Sequence, residues 1–321
     1  MARYRNALPQ LGDKLFVTDG GIETTLMFHE RIDLPYFAAF DVLNRPGGWM
    51  TLCRYYEQYA QLARDYELGL VLDSPTWRAS ADWGARLGYD AVQLADANRR
   101  SIQMLVQLRR ALETPHTPMV VSGALGPRGD GYIVDRRMSA RQAYGYHAAQ
   151  VAAFAAADAD MVAAYTINYA DEAIGIVNAA YKHAMPVAIS FTVETDGRLP
   201  SGETLAQAID ATDSETDGYA AYYMINCAHP THFEHVLRDD AAWAWTARLR
   251  GVRANASTRS HAQLDAATDL DMGDPEKLAR QYEALREVVP GLTVVGGCCG
   301  TDRRHIERIA RAFSACALAA A

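Results

Sequence analysis

The chain lacks most of what would tie it to a surface or to another macromolecule. No run of about 18 uninterrupted apolar residues occurs, so no membrane-spanning helix is expected. The start, MARYRNALPQLGDK, carries no apolar signal core, which makes a cytoplasmic protein the expectation. Lys and Arg number 31 against 39 Asp and Glu, for a net charge of −8, and neither sign forms a long run. Nucleic-acid and anionic-membrane partners require clustered basic charge, so neither is expected. Cysteine is scarce, with five in 321 residues, and the number is odd. A disulfide scaffold is therefore not the expectation, and thiols that do cluster point to metal or catalysis. No Gly-x-Gly-x-x-Gly follows any apolar run. The nearest stretch, Gly123-Ala124-Leu125-Gly126-Pro127, has the wrong spacing, which argues against a dinucleotide site. Repeats, low-complexity segments and Pro/Gly/Ser linkers are also missing, so one domain over residues 1–321 is expected.

What is present is a recurrence. A short apolar run followed by an amphipathic stretch occurs eight times: Lys14–Thr18, Gly69–Leu72, Met119–Ser122, Met161–Tyr165, Val187–Phe191, Tyr222–Asn226, Arg250–Ala254 and Leu292–Gly296. The seventh is weak because Arg250 and Arg253 interrupt it. Between the runs lie helical patterns. Thr51–Tyr66 repeats apolar residues at spacings of three and four. Ser139 opens a helix to about Asp158, and Ala148–Ala157 within it reads as buried. Asp274-Pro275 supplies an N-cap with Pro in the first turn of a helix to about Val289. Asp302 opens the last helix, with Ile306, Ile309 and Phe313 on one stripe. Continuous apolar strands indicate a parallel sheet covered by helices. Eight strand–helix units in order predict an α/β fold, a single-domain (β/α)8 TIM barrel, with its chemistry at the carboxyl ends of the strands.

Three of the five cysteines fall at such ends: Cys227 after the sixth run, Cys298 and Cys299 after the eighth. The flanking glycines, Gly296-Gly297 and Gly300, permit the positive φ that a sharp curl between adjacent ligands requires. Three thiolates with an open fourth position suit catalytic Zn²⁺, which would deprotonate a substrate thiol. Placement alone leaves a second reading open, in which these are buried hydrophobes and Cys298–Cys299 closes a redox-active disulfide. Cys53, in a helical stretch, and Cys316, near the end, read as packing or incidental thiols. Of the histidines, His29, His147, His183 and His305 read as surface or cap residues, and His229 stands out as two residues from a proposed ligand.

The run Val294–Thr301 (VVGGCCGT), followed by DRRHIERIA, resembles the C-terminal signature of the homocysteine S-methyltransferase family. Asn226-Cys227, with Pro230 three residues on, resembles that family's other zinc-ligand motif. The likeness extends to Thr18–Leu26 (TDGGIETTL), Leu72–Ser80 (LDSPTWRAS), Ser122–Pro127 (SGALGP) and Ser190–Gly197 (SFTVETDG), in the family's order. It implies a (β/α)8 barrel with zinc held by Cys227, Cys298 and Cys299, and methyl transfer to the thiol of homocysteine, giving methionine. The favoured donor is an onium compound, S-methylmethionine or S-adenosylmethionine. The resemblance further implies that Asp19 contacts the acceptor's amino group, that Gly20 and Gly21 receive its carboxylate, and that Asn226 belongs to the substrate site.

One departure qualifies the acceptor. Where the family presents an amine-binding Glu after the fourth strand, this chain has Tyr165-Thr166. A phenol is uncharged near neutrality, so Tyr165 allows a different small thiol or selenol. Glu172 and Glu194 are possible substitutes, although each reads better as a solvated residue. A non-catalytic zinc-binding or redox-sensing barrel is the alternative of another class. The partners expected are a small thiol acceptor and an onium donor, and self-association stays open.

Overall fold

The computed structural model describes residues 1–319, with side chains described through Ser314. Eight parallel strands, β1 (Phe16–Val17), β2 (Gly69–Asp73), β3 (Met119–Leu125), β4 (Met161–Ile167), β5 (Val187–Phe191), β6 (Tyr222–Asn226), β7 (Leu249–Ala254) and β8 (Val294–Gly297), pair in sequence order. The sheet closes on itself, with Phe16 in register with both Gly69 and Val294. All eight runs are therefore strands and the expected barrel is observed. The first is the shortest, and only two residues of Lys14–Thr18 join the ladder. The seventh is complete despite its arginines.

Period-two alternation explains the interior. Val71, Val120, Ala163, Ala188, Met224 and Val294 point inward and pack together with Phe16 and Tyr222. The intervening residues, such as Leu70, Val121, Val162 and Ile225, face the surrounding helices and form the larger core. Burial of each such side chain contributes roughly 1.5–3 kcal/mol. Gly251 leaves room inside for Met224, since a Cβ there would lie 2.6 Å from Met224 Cε and displace that side chain.

Capping residues start several helices. The Ser139 side chain accepts from the Gln142 N–H ahead of Ala140–Ala156, and Asp274 accepts from Glu276 and Lys277 ahead of Pro275–Val288. The helix expected over Thr51–Tyr66 runs Gly48–Asp65, and the last spans Arg303–Ala319 with Ile306, Ile309 and Phe313 buried. The Cys316 side chain lies outside those described, while Cys53 is buried in its helix. Among the described residues no helix is long and apolar enough to cross a membrane.

Candidate active site

Cys227 follows β6 and Cys298-Cys299 follow β8, so the closed barrel brings the three thiols together. Their sulfurs all lie within 4.8 Å of one another. Cys227 itself has φ +55°, the left-handed region, and its carbonyl accepts from Asn255 Nδ2 (2.9 Å) and His261 Nε2 (2.6 Å). The Cys298 carbonyl accepts from the N–H and the hydroxyl of Thr301 at 3.1 and 2.7 Å. Positive φ is confined to Gly300 on this side. Gly296 and Gly297 are needed for another reason, since a Cβ on either would collide with Thr18 or Thr301. Cys227 and Cys298 are joined as a disulfide, and Cys299 Sγ lies 3.9 Å from Cys227 Sγ. The disulfide is thus not the Cys298–Cys299 pair of the redox reading. The closed pair instead links β6 to β8, because those strand ends face one another across β7. An all-sulfur set of three is the donor chemistry that suits zinc with one position free. Burial, aided by the charge of Glu23, pushes the Cys299 thiol up to about 12, with a hydrogen bond from Tyr132 opposing.

Beneath the thiols lies a charged layer. Alternation along β2, β4, β6 and β7 turns Asp73, Tyr165, Asn226 and Arg253 inward, each two residues beyond an inward apolar or glycine position. The Arg253 guanidinium donates to Asp19 Oδ1 (2.6 Å), Asp73 Oδ2 (2.8 Å) and the Gly297 carbonyl (3.0 Å). Tyr55 Oη donates to the other Asp19 oxygen at 2.8 Å, and Tyr165 Oη donates to Asp73 Oδ2 at 2.6 Å. Burial raises the Asp19 carboxyl to about 6 and raises Asp73 as well, while Arg253 opposes both shifts. Burial alone would lower the guanidinium, but its anionic neighbours hold it charged.

The substrate residues expected from the sequence are thus differently engaged. Asp19 already has a cation. Gly21 N–H donates to the Thr301 carbonyl at 3.0 Å, so it is not free for a carboxylate. Gly20 and Gly21 let the β1 turn press on the β8 turn, for a Cβ would meet Thr301 O at 2.7 Å or Cys298 O at 2.6 Å. Asn226 accepts from Thr166 N–H (2.8 Å) and Ser190 Oγ (2.7 Å) and donates to Thr166 Oγ1 (2.9 Å). It therefore holds Thr166 at φ +62°. Glu172 is buried rather than solvated, bonded to His147 Nε2 (2.9 Å) and Arg128 N–H (2.8 Å), and His147 is likewise no surface residue. Glu194 sits 3.1 Å from His261 Nδ1. His229 bonds Thr231 and lies outside the sulfur group.

Four residues escaped the sequence reading: Glu23, Arg78, Tyr132 and Arg253. Inward periodicity along β7 could have found Arg253. Tyr132 stacks on His261 at a ring separation of 3.9 Å from a loop that no periodicity marks. Glu23 lies in the turn after β1, where burial lifts its carboxyl to about 7. Arg78 is buried between Trp77 and Trp83, and burial lowers it to about 10.

The family described as Homocysteine S-methyltransferase matches residues 16–313. No curated protein matches the sequence. Among solved structures, the metallated form of the homocysteine methyltransferase MmuM from Escherichia coli is similar, with 20% identity and a TM-score of 0.73 over 95% of this chain and 98% of that one. The oxidised form of the same protein gives 20% identity and a TM-score of 0.74, over 96% and 99%. At that identity the likeness is one of fold.

Proposed function

Because the chain belongs to the homocysteine S-methyltransferase family and is thereby a methyltransferase, we propose that it moves a methyl group from an onium donor to the thiol of homocysteine, giving methionine. The observation that carries this reading is the convergence of Cys227, Cys298 and Cys299 at the barrel mouth. In their reduced form these residues would hold zinc. Bound there, the metal would supply a means of deprotonating the acceptor thiol at neutral pH without a general base. S-Methylmethionine or S-adenosylmethionine is the favoured donor, and the reading puts the enzyme in the cytoplasm, where thiols stay reduced.

The transfer is an in-line displacement. The bond from methyl carbon to the donor's onium atom breaks as the bond to the acceptor sulfur forms, and the donor leaves neutral. The protein's part is to hold the reacting atoms in line. His261 and Asn255 fix the Cys227 carbonyl, and Thr301 fixes that of Cys298, so the ligand turns are positioned from both sides. The packed barrel interior below the charged layer closes the site to water from that end.

Metal analysis of the reduced protein tests the ligand set. Cys227→Ser, Cys298→Ser and Cys299→Ser are each expected to lose zinc, and Cys53→Ser to keep it. Full zinc in Cys298→Ser would remove that residue from the site. Methyl transfer is tested on the loaded protein by crossing onium donors with small thiols. A different thiol or selenol acceptor is the second reading, favoured by Arg253 occupying Asp19 and by Tyr165 bonding Asp73.

A further inference from the structure

Arg78 is a buried cation that the chemistry above does not use. Its residue is 6% exposed, and its guanidinium carbon lies 3.8 Å from the ring centroids of both Trp77 and Trp83. Its hydrogen bond is from Nη1 to the Gly129 carbonyl at 3.1 Å, and its buried Nε has no partner among the described residues. Among the described residues no carboxylate comes within ion-pairing distance of it. A buried guanidinium with a single neutral acceptor is costly, and its planar fork is shaped for a carboxylate. The aromatic sandwich holds that fork rigid, so little entropy is lost when an anion docks.

Glu23 complements it. Its carboxylate is partly buried and has no hydrogen-bond donor from another residue's side chain among the described residues. Glu23 stands in the turn after β1 between Gly21, where a Cβ would lie 2.6 Å from the Cys298 carbonyl, and Thr24, whose hydroxyl accepts from Gly300 N–H at 3.3 Å, so it borders the thiol turn. Arg78 follows β2 and Glu23 follows β1, its neighbour in the barrel, and among the described residues these opposite charges form no ion pair with each other. The groups expected from the sequence to bind an amino acid are already engaged, Asp19 by Arg253 and Tyr55, and Gly21 N–H by Thr301.

We propose that Arg78 and Glu23 form the receptor for the zwitterionic end of an amino-acid substrate, Arg78 taking the α-carboxylate and Glu23 the α-ammonium. The sulfur end then extends toward Cys299. This assignment rests on the methyl-transfer reading for the identity of the ligand, yet it is testable by binding alone.

The probes are methionine, 4-(methylthio)butanoate, which lacks the ammonium, and 3-(methylthio)propylamine, which lacks the carboxylate. Each is titrated calorimetrically into the reduced, zinc-loaded chain and its variants. Arg78→Met is expected to weaken methionine and the butanoate by about tenfold or more and to leave the amine unchanged. Glu23→Gln is expected to weaken methionine and the amine and to spare the butanoate. Arg78→Lys, which keeps the charge without the fork, should fall between, and it serves where Arg78→Met does not fold. Asp19→Asn should leave the three-ligand pattern as it is. Competition by homocysteine or by S-methylmethionine assigns the receptor to acceptor or donor. Equal losses for all three ligands, no loss in either variant, or loss of amine dependence in Asp19→Asn would each overturn the proposal. Intact binding selectivity in a protein that transfers no methyl group would instead overturn the methyl-transfer reading alone.

Discussion

At the scale of single residues, Asp19, Asp73 and Arg253 form a buried triad in which one guanidinium serves two carboxylates. Removing the cation leaves two like charges facing each other in a site closed to solvent. Arg253→Met is therefore expected to destabilise the fold by about 3–5 kcal/mol, as for other buried pairs broken on one side. Adding Asp19→Asn and Asp73→Asn should recover much of that loss in a denaturant titration, and failure to do so would deny the triad its electrostatic role. Tyr165 belongs to the same group, donating to Asp73. Tyr165→Phe should cost about 1 kcal/mol, because Arg253 still serves that oxygen. A Glu at position 165, attractive from the family pattern, would instead face Asp73 as a like charge, and should lower stability more than Phe does.

At the scale of elements, caps set where helices begin, and the last helix gives a pH-dependent case. Asp302 accepts from Arg304 N–H at 2.9 Å and lies 3.0 Å from His305 Nδ1, while His305 Nε2 is 2.8 Å from the Met272 carbonyl. Burial alone would raise the Asp302 carboxyl, but His305 and Arg304 outweigh it and hold it well below the usual carboxylate range. A depressed carboxyl adds stability above its unfolded pKa, near 4, and loses it as pH falls through the folded value. Asp302→Ala should cost about 1 kcal/mol at pH 7, and the gap to the unaltered protein should shrink only below about pH 4. A gap unchanged at pH 2 would mean that the side chain acts by packing. These elements were legible in the sequence because they follow local rules. Ser139, Asp274 and Asp302 are caps with partners two or three residues away, and strands such as Met119–Leu125 are short continuous apolar runs. The charged layer was not legible, since Arg253 meets Asp19 across 234 residues. Arg78 likewise reads as an ordinary turn residue until Trp83 is seen to fold back over it.

At the scale of the whole molecule, the thiol site exists only when the barrel is closed. Cys227 and Cys298 are 71 residues apart and stand on strands separated by β7. The unfolded chain therefore has no preformed site, and a metal held by these residues would favour the native state by mass action. At free zinc about a thousandfold above its dissociation constant, that linkage amounts to about 4 kcal/mol. Chelation of the reduced protein is thus expected to lower its unfolding midpoint, with the zinc-dependent increment lost in Cys298→Ser and kept in Cys53→Ser. The disulfide supplies a second control. Joining Cys227 to Cys298 withdraws two of the three sulfurs from coordination, while tethering β6 to β8 covalently. Oxidised protein should therefore bind no zinc, show two fewer free thiols, and unfold at a midpoint that chelator leaves unmoved. Restoration of both zinc and chelator sensitivity by reductant would show that the same sulfurs serve both states. A zinc-dependent midpoint in the fully oxidised protein would place the metal elsewhere.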